Sequence, residues 1–454
     1  MVVRSQRVVF TDGVRAASIY VRDGRIADIR AHGDRPSGVP KLDVGERVVL
    51  PGLVDTHVHI NDPGRADWEG FEHATRAAAA GGVTTLVDMP LNSMPSTTTV
   101  QALEAKRRAA AGRCHVDVAC WGGVVPGNAA ELEPLSRAGV LGFKCFLCPS
   151  GVDEFEHVAE ADLRTALPVL ARLGVPLLVH AEIPALLRDP LVAPGGHSRD
   201  PRRYRTWLDS RPPDSEHAAI DLVARLAREF SVPVHIVHLA SADAVPAIAA
   251  VRAAGVRLTV ETCPHYLTFA AEDIADGATA FKCAPPVRGR DHRERLWRAL
   301  SDGHIDLIAT DHSPSPPALK HIEDGDFVRA WGGIASLQVG LAAVWTGAAA
   351  RGLPIERLGQ WMAAAPARLA GIESVKGAIA VGRDADLVIW DPDAESTVDP
   401  SSLQHRHPVT PYAGMRLRGR VHKTILRGTM VYEDGQWLRV PAGSLIDRTK
   451  RNLV

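Results

Sequence analysis

From about residue 50 the chain repeats one pattern. A short, nearly unbroken apolar run is followed by a longer segment rich in Ala, Leu and Arg, with apolar residues at helical spacing. The runs lie at 52–59, 83–90, 115–122, 141–147, 175–180, 232–239, 256–261 and 305–310, with helix-like segments such as FEHATRAAAA, VQALEAKRRAAAG and EHAAIDLVARLAREF between them. Strands that are apolar on both faces belong to parallel sheets covered by helices. Eight β-then-α units predict that such a sheet closes as a (β/α)8 TIM barrel. An open doubly wound sheet is the alternative, but eight strands favour closure and no G-x-G-x-x-G follows a strand.

The flanks have a different texture. The first 49 residues read as short alternating strands, with hairpin signals at Asp12-Gly13 and Asp23-Gly24. The stretches GAIAVGRDADLVIWD and RGRVHKTILRGTMVYEDGQWL return to it after residue 375. The expected division is a barrel over 50–375, a small composite β-sandwich built from 1–49 and 376–440, and a polar tail over 441–454, helical or loosely ordered.

Composition changes this picture little. Hydrophobic residues make up 46% of the 454 and charged residues 23%, as in ordinary globular proteins. A formal net charge of −1 without a run of one sign argues against nucleic acid or a membrane surface as partner. No apolar run reaches the roughly 18 residues of a membrane span. The opening MVVRSQRVVFTDG has no apolar h-region, so no signal peptide is expected. Six cysteines are too few for a disulfide framework, and a cytoplasmic protein with reduced thiols is expected.

Barrel chemistry collects where strands end. The stretch PGLVDTHVHINDPGR, 51–65, ends the first run with His57 and His59, which as alternate residues of a strand point to one side. Run four carries Lys144, run five ends in His180, run six in His238, and run eight leads into Asp311. Imidazoles and a carboxylate converging on one rim are a metal-ion donor set. His235 is expected to face the other way, while His265, His312 and Asp88 are candidates to support the ligands. Cys145 and Cys148 lack a second C-x-x-C and read as buried residues rather than a redox or zinc pair. A protonated Lys144 beside cations is unfavourable. A neutral lysine can take up CO2 as a carbamate able to bridge two metals; an ammonium turned to solvent or to a substrate carboxylate is the alternative.

Together the stretches DTHVHINDPG, GFKCF, VHAE, HIVHLAS, ETCPHYL, FKCAPPVR and TDHSP resemble the cyclic amidohydrolases, which include dihydroorotases, hydantoinases and allantoinases. The resemblance spans residues 2 to about 440. It implies a TIM barrel with a composite β-sandwich, and a centre of two divalent metals. Zinc is foremost, with cobalt, manganese and nickel compatible. It places His57, His59 and Asp311 on the more buried metal, His180 and His238 on the outer one, and Lys144 between them as N6-carboxylysine. It also implies a small-molecule substrate and a homotetramer.

Within the family, DMPLNSMPSTTTVQALEAK, DHSPSPPALK and AWGGIASLQ are most similar to the allantoinase branch. Asn61 stands where dihydroorotases have a carboxylate-reading arginine, and Pro149, followed by Ser150, where hydantoinases have a tyrosine. Ala284 departs from the serine frequent in allantoinases. The implied reaction is hydrolysis of allantoin to allantoate by a hydroxide held between the metals, with Asp311 as general base and then acid. Asn61, Ser150, Cys283, Ala284, Ser313, Gly332 and Gly333 are the expected substrate contacts. Another cyclic amidohydrolase activity is the alternative; with all six ligand positions filled, a non-catalytic scaffold is disfavoured.

Overall fold

A computed structural model of the chain describes residues 1–34, 38–192, 196–437 and 440–448. Each of the eight apolar runs contains a strand. These are β1 (Leu53–Val58), β2 (Val83–Asp88), β3 (Asp117–Cys120), β4 (Phe143–Phe146), β5 (Leu177–His180), β6 (Val234–Ile236), β7 (Leu258–Thr262) and β8 (Leu307–Ile308). Neighbours pair in parallel from β1 to β3 and from β4 to β8. Gly122–Gly123, just beyond β3, pairs with β4. The ring closes where Val58 bridges His312 and the His59 amide donates to the His312 carbonyl at 2.8 Å. The fold is a closed (β/α)8 barrel, not an open sheet. Its strands are buried on both faces, which accounts for the unbroken apolar runs.

Helices Phe71–Ala80, Val100–Ala110, Ala129–Ala138, Glu160–Leu173, Pro213–Phe230, Val245–Ala253 and Arg290–Ser301 follow the first seven strands, and Gly340–Ala350 follows the eighth. Pro213–Phe230 shows why they coat the sheet: it buries Ala219, Ile220, Val223, Ala224 and Ala227, one stripe of a 3.6-residue period. Strands β6 and β8 are shorter than their apolar runs. His238 and Asp311 adopt left-handed backbone, with φ of 41° and 46°. A residue in that region cannot continue a ladder, so pairing stops before the residues that carry the chemistry.

The two ends of the chain share one nine-stranded sheet. Val48–Pro51 pairs antiparallel with Leu387–Thr397, with Leu50 opposite Val388 and Val49 opposite Ile389. The apolar core of this sheet draws Val8, Ile19, Ile26 and Val49 from one end and Leu387, Ile389 and Ile425 from the other. The tail departs from expectation. Residues 440–448 contain no helix; Leu445 bridges Val118 in parallel, with the Val118 amide donating to Ser444 and its carbonyl accepting from Ile446. Val118 has free backbone groups on the edge of β3 away from β2, and the tail satisfies them. The remainder of the expected tail, 449–454, lies outside the described residues.

Candidate metal centre

At the C-terminal end of the barrel a cavity of about 340 Å³ is lined by His57, His59, His180, His238 and Asp311. The ligand atoms of His57, His238 and Asp311 lie within 4.8 Å of one another. Asp311 Oδ1 is 3.2 Å from His57 Nε2 and 3.4 Å from His59 Nε2. His180 Nδ1 and His238 Nε2 face each other at 2.9 Å. Burial lowers the pKa of His59, His180 and His238, so these imidazoles are neutral and present lone pairs. Burial acts the other way on Asp311, but the electrostatic pull of the neighbouring His57 and the His59 hydrogen bond outweighs it and holds this carboxyl well below the usual range.

Lys144 is fully buried in β4 and does not line the open cavity. Its Nζ has no hydrogen-bond partner among the described residues. Burial brings its pKa down to about 8, against the opposing charges of Glu261 and Asp311. A buried ammonium without a partner is costly, and coordination through a carbamate would remove that cost. Neutral imidazoles, an ionised carboxylate and an orphaned lysine nitrogen fit a divalent metal centre.

Two carboxylates aim the histidines, and sequence reasoning gave neither a role. Glu261, the penultimate residue of β7, accepts from His57 Nδ1 at 2.5 Å, from His235 Nε2 at 3.0 Å and from the His238 amide at 3.3 Å. This turns His57 Nε2 toward Asp311 and fixes the bend at His238. Glu182 accepts from His180 Nε2 at 2.7 Å, and Arg211 holds Glu182 at 2.7 Å. Both carboxylates follow or end a strand, a signal shared with ordinary loop glutamates. His235 is turned onto Thr259 and Glu261, away from the cavity. Asp88 binds Lys106 and accepts from the Ile60 amide at 2.8 Å, fixing the turn after His59. His312 receives the Ser336 and Leu337 amides at Nδ1, whereas neither ring nitrogen of His265 has a hydrogen-bond partner among the described residues.

The expected substrate contacts divide. Ser150, Cys283, Ala284, Ser313, Gly332 and Gly333 line the cavity. Asn61 does not: at φ 65° the chain has turned, and the Asn61 side chain donates from Nδ2 to the Pro314 carbonyl at 3.3 Å. Ser150 Oγ lies 2.6 Å from the Phe155 carbonyl, which takes its proton and leaves it to act as an acceptor. Asn92, Trp207, Arg211, Lys282 and Trp331 also line the wall and carried no clear sequence signal. A second cavity, about 500 Å³, lies at the opposite end of the barrel among Pro176, Val234, Leu258 and Leu307, away from the donor set.

A closed (β/α)8 barrel with a histidine and aspartate donor set at its C-terminal rim is the architecture of metal-dependent hydrolases. Residues 48–431 match the profile described as the amidohydrolase family, and the chain belongs to that family. It is 50% identical to the allantoinase of Streptomyces avermitilis, covering 99% of this chain and 98% of that protein. It is 45% identical to the allantoinase of Arabidopsis thaliana, over 98% and 90% of the two chains. Among solved structures, the L-hydantoinase (dihydropyrimidinase) of Arthrobacter aurescens superposes with a TM-score of 0.92 at 34% identity, covering 98% and 99%.

Proposed function

We propose that this chain is a metal-dependent allantoinase, opening the hydantoin ring of allantoin to allantoate. The observation that carries the reading is near-full-length likeness to allantoinases, with 50% identity to one of them. The donor set and a cavity sized for one small cyclic ureide support it.

In this reading His57, His59 and Asp311 would hold one cation and His180 and His238 the other. Lys144, carboxylated when its neutral amine adds to CO2 and loses a proton, would supply a further anionic oxygen donor to the centre as N6-carboxylysine. Zinc suits these nitrogen and oxygen donors, as do cobalt, manganese and nickel. A bound divalent cation acidifies water and polarises a carbonyl. Asp311 takes one proton from the attacking water and delivers it to the ring nitrogen as the C–N bond breaks. The water oxygen ends in the new carboxylate. Glu261 and Glu182 keep the imidazoles aimed through this cycle.

Gly332 is the best placed group to read the amide edge of the ring. Its N–H and carbonyl enter no hydrogen bond among the described residues, whereas those of Gly333 are both engaged. Ser313 and the Cys283–Ala284 backbone flank it, although the Cys283 carbonyl already accepts from Trp207 at 2.8 Å. The resemblance supports a homotetramer. Six free, buried cysteines suit a reducing compartment such as the cytoplasm.

The likeness to L-hydantoinase favours a second reading, a hydantoinase. Parallel assays with allantoin, hydantoin and dihydroorotate separate the two. Allantoin is expected to have the highest kcat/KM; a clear preference for hydantoin would replace the first reading by the second.

A further inference from the structure

One wall of the cavity, residues 328–333, belongs to no helix or strand. Two buried lysines hold it, Lys282 from within the cavity lining and Lys320 from outside it. Lys282 Nζ donates to the carbonyls of Val328 at 3.0 Å and Ala330 at 2.6 Å. Lys320 Nζ donates to the carbonyls of Trp331 at 3.2 Å and of Gly333. Amides are engaged too: Ala330 with Asp326, Trp331 with Leu319 and Gly333 with Lys282. Of residues 330–333, only Gly332 keeps both its N–H and its carbonyl out of any hydrogen bond among the described residues.

We propose that Lys282 and Lys320 are positioning residues that staple this wall by its carbonyls, leaving the Gly332 N–H and carbonyl free to pair with a cyclic amide. This deepens the reading of the cavity given above and rests on it. The alternative roles for two cations at a cavity wall are weaker. Neither lysine forms an ion pair with a carboxylate among the described residues, and Lys282 lies 4.2 Å over the Trp207 ring, so its ammonium is already engaged on three sides. Two of its three N–H groups are already committed to the Val328 and Ala330 carbonyls. Burial lowers Lys282 to about 7 and Lys320 to about 8, the cost expected of lysines kept for their carbonyl contacts.

The N–H and the carbonyl of Gly332, on either side of its Cα, offer one donor and one acceptor. A cyclic ureide presents the complement, a ring carbonyl beside a ring N–H. Positioning by the lysines therefore acts on recognition rather than on bond cleavage.

The test compares Lys282→Met and Lys320→Met with the unaltered chain, and Lys282→Arg as the conservative variant. In the Met variants KM is expected to rise about tenfold, the effect of losing roughly one hydrogen bond to substrate, while kcat stays within about threefold. Bound metal is unchanged, and Lys282→Arg recovers part of the loss. Preference for hydantoin over its ring N-methylated analogue narrows in the Met variants, because the carbonyl that distinguishes them is no longer held in place. Without any substrate, hydrogen exchange at the Trp331 and Gly333 amides accelerates. Exchange decides the matter even if the chain fails to open allantoin, a result that would remove the proposed function but not the staple. Folded Met variants with unchanged exchange and unchanged KM would overturn the proposal, as would a fall in kcat and metal content with KM unaltered.

Discussion

Asp311 lies beside two imidazole nitrogens, which hold its carboxyl well below the usual range. The proposed role is to accept a proton from water and later release it. Asp311→Asn keeps the size and one oxygen donor but loses that capacity. Steady-state assays are expected to show kcat lower by about 10²- to 10⁴-fold, the range for removing a general base, with metal partly retained. Near-normal turnover would exclude the role. Lys144→Ala is expected to lose both metal and activity, and millimolar short carboxylic acids to restore part of each; full metal content without them would exclude the carbamate. The proposed ligand positions were legible because histidines recur at the ends of apolar runs, which give no other reason for them, and Lys144 and Asp311 fall at the same rim. Glu261 and Glu182 were not, since a glutamate there reads equally well as the start of a helix. Asn61 was singled out by the family resemblance alone: its left-handed backbone carries it off the cavity wall, which spacing along the chain does not reveal.

At the level of elements, the apolar runs announced every barrel strand but overstated their length, most of all at β6 and β8. Hydrophobicity records burial, not pairing, and the ladders there end before the left-handed residues His238 and Asp311, although the chain stays buried. The irregular wall at 328–333 had no periodic signal at all. Its order comes from lysines contacting backbone carbonyls, a partnership that leaves no trace in the pattern of side chains. Gly333 shows how closely this wall is fitted. It has φ of 124°, and a Cβ there would collide with the Ser313 carbonyl. Gly333→Ala is therefore expected to cost about 1–3 kcal/mol of strain, relieved by displacing the wall. The measurement is kcat/KM on the ring substrate, with a fall of about tenfold or more expected. Unchanged kcat/KM in a folded variant would show that the wall does not contact substrate.

Over the whole molecule, similar β texture at both ends hinted that they meet, and they share one sheet. What ties that sheet to the barrel was hidden. Lys376 Nζ lies 2.7 Å from Asp117 in β3, 2.8 Å from Asp384 and 2.7 Å from Asp386, and Arg427 also reaches Asp117. Lys376, Asp384 and Asp386 lie within ten residues of one another, but Asp117 and Arg427 are far from one another in sequence, and no local pattern brings them together. Removing the lysine leaves carboxylates buried without their cation. Lys376→Met is expected to lower the unfolding free energy by about 3–5 kcal/mol, read from urea melts. A loss under about 1 kcal/mol would mean that the cluster is dispensable.

The most direct measurement is allantoin hydrolysis on one purified sample whose metal content is determined before chelation, after chelation and after metal is returned. Ring opening to allantoate should track bound metal, falling to background when metal is removed and recovering when zinc or cobalt is added back. Activity that survives complete removal of metal, or a metal-replete protein that leaves allantoin intact, would contradict a metal-dependent allantoinase.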